Sequence, residues 1–291
     1  MKKILVPVDF SGHTEITCRY ALEFARVYGA EIKLFHTYFD QIIIADTSFP
    51  DTLDMSTMYN EELMKEIHHQ ATRNMEELFE KVNDQIRKEN ITDVTLSTTI
   101  NGGEIENELK EICHEFHPDL VIMGTTGKGN NLNVWGKVST FIIDHARVPV
   151  LTVPEIKTYR GFKSIMFAAD LSEANARSIS SILELFAPFN FKLLVVHFIT
   201  KTKNSDAFNR MKALQMKFGK EEKTGVVSFE VIECIDDNQK VIDLYVRENK
   251  IDIIAFQPHK RSLLYMVFTK NITKKNLFAT NIPLLAIPSQ G

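Results

Sequence analysis

Short apolar runs alternate along the chain with longer stretches whose apolar positions recur at helical spacing. In the first half the runs cover residues 4–8, 32–36, 94–99, 120–123 and 148–153. They are continuous rather than alternating, which is the pattern of strands buried on both faces, as in a parallel sheet covered by helices. Between them the spacing predicts a helix over about 12–28, with Ser11 as its N-cap and Gly29 as its stop. A long, charged amphipathic helix is predicted over much of 59–88, and a further one over 104–116. Strands separated by helices predict right-handed βαβ units and an α/β, doubly wound parallel sheet.

The pattern then repeats. The opening Lys3-Ile-Leu-Val-Pro-Val-Asp9-Phe-Ser11 returns as Ser164-Ile-Met-Phe-Ala-Ala-Asp170-Leu-Ser172, and Ile32-Lys-Leu-Phe-His36 returns as Leu193-Leu-Val-Val-His197, both offset by 161 residues. Later, Pro118-Asp119-Leu-Val-Ile-Met-Gly124 returns as Ile251-Asp252-Ile-Ile-Ala-Phe-Gln257, offset by 133. Val148-Pro149-Val-Leu-Thr-Val-Pro154 returns as Ile282-Pro283-Leu-Leu-Ala-Ile-Pro288, offset by 134. Matching segments in one order, with a single internal change of length, indicate duplication. The difference in offset falls after the second strand, where the first half carries extra residues around 37–67. Domains are therefore expected over 1–155 and 162–291, joined by a linker that turns at Tyr159-Arg160-Gly161.

Bulk properties narrow the function classes. The 291 residues are 44% hydrophobic and 25% charged, as in a globular protein with a sizeable core. A net charge of -4 argues against a nucleic-acid partner, which calls for a basic excess. No apolar run reaches membrane-spanning length, and residues 4–8 are too short for the core of a secretory signal, so a cytoplasmic protein without a membrane partner is expected. Cys18, Cys113 and Cys234 are odd in number and scattered, forming neither a disulfide framework nor a zinc pattern.

A doubly wound sheet binds ligands beyond the carboxyl ends of its strands, where the strand order reverses. Pro7-Val8-Asp9 follows the first strand. A glycine-rich segment, Gly124-Thr-Thr-Gly127-Lys128, follows the fourth and runs through Trp135-Gly136-Lys137-Val138-Ser139-Thr140 into a helix. Glycines let backbone N–H groups approach an anion and a helix N-terminus adds a favourable dipole. Lys128, Lys137, Ser139 and Thr140 are candidate phosphate donors. The dinucleotide fingerprint and the P-loop both fail: the first turn carries only Gly12, and Gly136-Lys137 precedes Val138 with Asn131 where the P-loop needs its upstream glycine.

These segments, together with His145-Ala-Arg-Val-Pro-Val-Leu-Thr-Val-Pro154, resemble the universal stress protein family, here in tandem form: strongly in the first half, more weakly in the second. The resemblance implies two five-stranded parallel sheets packed as a pseudo-dimer, their fifth strands paired across the interface. It also implies a stress-response or regulatory protein that binds an adenine nucleotide, ATP or AMP, and leaves open whether Mg2+ accompanies it. By that resemblance Pro7 and Asp9 flank base and ribose, Thr37 and Met123 add base contacts, and Gly124, Gly127 and Gly136 lie along the phosphates. The chain departs from the family's G-x2-G-x9-G-S/T pattern in having eight residues between Gly127 and Gly136 and a lysine at 137. In the second half the glycines give way to Gln257-Pro258-His259 and Pro7 to Ala168, so that half is expected to hold no nucleotide.

Blander accounts compete at each position. Asp9 and Asp170 open the same turn in both halves, so capping explains them as well as ligand binding does. His36 and His197 read as hydrogen-bonded core residues, and His68-His69 and His114/His117 as solvated helix faces. The insert is expected to cover the site as a lid, to pack on an unknown protein partner, or to cover the sheet edge; whether the chain forms a homodimer is left open. No catalytic residue or metal site is assigned. The rival readings are an interaction module without ligand and, ranked lower, a slow ATP hydrolase.

Overall fold

A computed structural model describes residues 1–38, 53–125, 137–155, 158–200, 206–234, 238–258 and 282–288. The first half runs β1 (Lys3–Pro7), α1 (Thr14–Tyr28), β2 (Glu31–Tyr38), α2 (Leu53–Lys88), β3 (Thr95–Gly102), α3 (Ile105–Phe116), β4 (Leu120–Gly124), α4 (Lys137–His145) and β5 (Val150–Val153). The second runs β6 (Ser164–Ala168), α5 (Asn175–Phe186), β7 (Lys192–Thr200), α6 (Ala207–Lys217), α7 (Gly219–Lys223), β8 (Val227–Cys234), α8 (Asn238–Glu248), β9 (Ile253–Phe256) and β10 (Leu284–Ala286). Within each half every strand pairing is parallel, in the order β3-β2-β1-β4-β5 and its copy β8-β7-β6-β9-β10.

The two five-stranded sheets join edge to edge. β10 runs antiparallel to β5, with Leu284 opposite Thr152, Leu285 opposite Leu151 and Ala286 opposite Val150, so one ten-stranded sheet crosses the molecule. Both strands are buried, and the fully buried Thr152 donates its hydroxyl to the Leu284 carbonyl at 3.2 Å. Pairing removes an edge from each half, and a bare edge is the part of a sheet that recruits foreign strands.

Two apolar layers cover the sheet. One includes Phe24 of α1, Met75 of α2, Ile182 of α5 and Met211 of α6; the other includes Leu109 of α3, Ile142 of α4 and Tyr245 of α8. Phe162, just ahead of β6, anchors the first layer at the seam. Its ring centre lies 4.7 Å from Phe24 and 5.7 Å from Tyr20 of α1, and 5.5 Å from Phe186 and 4.7 Å from Phe189 in or beside α5. Tyr28 ties the helix ends together in the same layer, its hydroxyl lying 2.9 Å from the carbonyls of both Glu184 and Leu185.

Duplication extends to single hydrogen bonds. The Asp119 carboxylate accepts the backbone N–H groups of Lys2 and Lys3 at 2.6 and 3.0 Å; its copy Asp252 accepts those of Lys163 and Ser164 at 2.8 and 3.0 Å. Each clamp fixes the entry of a first strand against the start of the fourth.

Helix bounds differ from expectation in two places. α1 begins at Thr14 rather than Gly12, because Ser11 is spent in a turn closed by the Asp9 side chain and Phe10 takes a left-handed conformation. α2 begins at Leu53, so the back of the inserted stretch is the start of that helix; its first part, residues 39–52, lies outside the described residues. Among the described residues no helix is long and apolar enough to cross a membrane.

Candidate functional site

The strand order places the reversal between β1 and β4, so the site is sought where their carboxyl ends meet. Parity along the strands decides which residues face it. Leu5, Phe35 and Met123 all belong to the layer beneath α3 and α4. Pro7 lies two residues beyond Leu5 and Thr37 two beyond Phe35, so Pro7, Thr37 and Met123 share that face of the sheet. Pro7 pairs in register with Phe35, and Val8 continues the ladder by donating to the Phe35 carbonyl at 2.8 Å. Met123 is buried, whereas Pro7, Thr37 and Gly124 are partly exposed at the rim. Side chains proposed from separate parts of the sequence are thus brought together.

Asp9 sits just past the strand. Its Oδ1 accepts the Ser11 N–H at 3.0 Å and the Thr14 hydroxyl at 3.4 Å. In the second half Asp170 Oδ1 accepts the Ser172 N–H at 2.9 Å and Asn175 Nδ2 at 2.8 Å, the same turn with an amide in place of the hydroxyl. The following residues, Phe10 and Leu171, both hold a left-handed backbone, at φ 55° and 59°. Such a conformation costs a non-glycine residue about 1 kcal/mol or more and often marks a functional strain. Its presence in both copies makes it a property of the duplicated turn. Asp9 is therefore visible in the geometry as the residue that closes the turn ahead of α1, whose N-cap position falls at His13.

The two strand-end histidines are also structural. His36 Nδ1 lies 2.7 Å from the Val8 carbonyl and His197 Nδ1 lies 2.8 Å from the Ala169 carbonyl. A carbonyl can only accept, so Nδ1 carries the proton in each bond, and the imidazole pins the end of the first strand to the second. Phe10 packs on His36, ring centres 4.4 Å apart.

On the β4 side, Gly127, Lys128 and Gly136 lie outside the described residues, and of Lys137 only the backbone, opening α4, is described. Thr140 is exposed on that helix. Ser139 is buried, with its hydroxyl 3.2 Å from the carbonyls of both Gly124 and Thr125. Its place is a clasp between the end of β4 and the start of α4, a role with no sign in the sequence, since a serine in the first turn of a helix reads equally as a phosphate donor.

At the equivalent point of the second half the rim is filled. Gln257 stands at the position of Gly124, and its side chain is buried, its Oε1 accepting Asn175 Nδ2 at 3.2 Å. Asn175 is wholly buried and donates also to Asp170, while its Oδ1 accepts the Leu171 N–H at 2.9 Å. Sequence reading found the glutamine but missed this network, because Asn175 copies Thr14 only through the 161-residue offset and looks like an ordinary helix start. Replacing Asn175 by alanine strips partners from the buried Gln257 and from Asp170. The expected cost is about 1–3 kcal/mol, seen as a lowered urea midpoint.

Neither described cysteine of the first half is activated as a nucleophile. Burial pushes the Cys18 thiol up to about 12, with Glu15 adding to the effect, and burial alone pushes Cys113 up to about 11; both stay protonated at neutral pH. Among the described residues no group of three or more His, Cys, Asp or Glu side chains is placed to hold a metal ion.

Comparison with known proteins agrees with this architecture. The model of the universal stress protein family matches residues 1–154, just over half of the chain. A universal stress protein of Methanocaldococcus jannaschii is 28% identical over 159 residues, covering 54% of this chain and 84% of its own. A second from the same organism is 27% identical over 157 residues, covering 52% and 94%. The crystal structure of a universal stress protein from Archaeoglobus fulgidus superposes over both halves, covering 98% of this chain and 96% of its own with a TM-score of 0.67 at 14% identity, a likeness of fold. The chain belongs to the universal stress protein family.

Proposed function

We propose that the first half binds one adenine nucleotide, ATP or AMP, beyond the carboxyl ends of β1 and β4, and that the second half serves as its nucleotide-free structural partner. The observation that carries this reading is the contrast between Gly124 and Gln257. In one copy of the fold the end of the fourth strand bears no side chain; in the other, a buried amide locked to Asn175 fills the same point. Three features support an adenine ligand: family membership, the shared face of Pro7, Thr37 and Met123, and a glycine-rich segment leading into the N-terminus of α4. A helix start preceded by glycines favours phosphate through its free N–H groups and dipole. In this reading the base lies against the sheet rim, Asp9 faces the ribose, and Gly127, Lys128, Gly136, Lys137 and Thr140 surround the phosphates. The bound nucleotide then alters the surface that protein partners meet.

Calorimetric titration of ATP and AMP into nucleotide-free protein, with and without magnesium, tests the proposal; the fluorescence of Trp135, the single tryptophan of the chain, reports on the same segment. Saturation near one nucleotide per chain is the expected result. Absence of binding at millimolar nucleotide would sink it and leave the interaction module, which the shortened spacing from Gly127 to Gly136 favours.

A further inference from the structure

The two halves differ sharply on the outer faces of their first helices. Over α1 the space is taken by the linker that follows β5: the Tyr159 ring centre lies 4.9 Å from Tyr20 and 5.9 Å from the Arg19 guanidinium carbon, with Phe162 completing the group at 5.4 Å from Tyr159. The 161-residue offset maps Arg19, Tyr20 and Glu23 onto Ser180, Ser181 and Glu184 of α5. Two large side chains have become hydroxymethyl groups. Where the first half is filled, the second has a cavity of about 620 Å3, lined by these three residues, by Arg177 and Lys217, and by Arg147 from the first half. Pro288 borders it just after β10, as Pro154 follows β5 into the linker.

The lining carries three cations, Arg147, Arg177 and Lys217, against the single carboxylate of Glu184. A groove of this volume is in the range that holds a ligand or a few peptide residues. The first half supplies the template for its occupant: a linker residue that lays a tyrosine ring on the helix. We propose that the groove over α5 binds an acidic segment of a partner protein, seating a tyrosine or phenylalanine ring above Ser181 as Tyr159 is seated on Tyr20. An aromatic ring supplies buried area at low entropic cost, and the surrounding cations select for acidic neighbours. This site lies on the α1/α5 layer of the sheet, away from the face shared by Pro7, Thr37 and Met123, and does not depend on nucleotide.

The probe is a fluorescein-labelled peptide of residues 154–162 carrying Lys157→Glu and Arg160→Glu, titrated with the full chain and read by fluorescence anisotropy. Micromolar binding is expected, weakened at least about tenfold by Tyr159→Ala in the peptide. Ser181→Tyr, which restores the ring found in the first half, and Arg177→Glu, which reverses one charge, should each weaken it as much, with circular dichroism confirming that both variants fold. No binding at millimolar protein would overturn the proposal. So would binding that survives Ser181→Tyr or is matched by a scrambled acidic peptide, since either outcome reduces the groove to a general polyanion patch.

Discussion

With glutamine in place of Gly124, the chain should lose at least about a hundredfold in affinity for adenine nucleotide, a change of roughly 2.7 kcal/mol. The substitution carries into the first half the residue that the second half holds at the same point of the fold. There the glutamine side chain turns inward and ends on Asn175. In the first half Thr14 takes the place of Asn175, and its hydroxyl already serves Asp9. The new amide would therefore be left beside Asp9 and Thr14, on the ribose side of the volume assigned to the ligand. Gly124 is the last residue of strand β4, an extended backbone that glutamine also adopts, so the thermal midpoint should move little. Calorimetry on this variant, beside Gln257→Ala as a control that keeps wild-type affinity, checks both claims. Unchanged affinity in the Gly124 variant would place the nucleotide somewhere other than the switch point.

Phe162→Ala should be the most destabilising single change, costing about 3–5 kcal/mol, the range for large aromatic truncations in a core. Its ring is 3% exposed and touches Tyr20 and Phe24 of the first half as well as Phe186 and Phe189 of the second. The cavity would open at the seam, where neither half can relax alone to fill it. Beyond the lower urea midpoint, unfolding of the variant should separate into two phases as the halves lose their shared aromatic contact. A single transition with a loss below about 1 kcal/mol would show that the strand pairing, not the aromatic cluster, couples the halves.

Much of this architecture was legible in the chain because the duplicated segments announce it. The continuous apolar runs locate the parallel strands to within two or three residues, and the copies of Asp9, His36 and Asp119 mark equivalent points of the two halves. The antiparallel contact between β5 and β10 followed from resemblance, not from any signal in Val150–Val153 or Leu284–Ala286, whose sequences would suit any buried strand. Local turn chemistry was harder. Ser11 has the composition of an N-cap, yet Asp9 captures its N–H first and the helix starts at Thr14. Ser139 and Asn175 were illegible for a related reason: a short polar side chain gives no hint in sequence of whether it faces a ligand or a carbonyl two elements away. The gain of a groove over α5 was equally hidden, since serine at 180 and 181 has meaning only beside Arg19 and Tyr20.

The central seam also has a consequence for how the chain is made. β5 is synthesised about 130 residues before its partner β10, an interval of roughly 7–26 s at ordinary rates of translation. Through that interval a folded first half presents β5 to the surroundings as an open template, and the nearest matching strand belongs to a neighbouring chain on the same message. Crowded polysomes are therefore where exchange of halves between chains would arise, and the tandem arrangement sets late closure against the advantage of keeping both partners on one polypeptide.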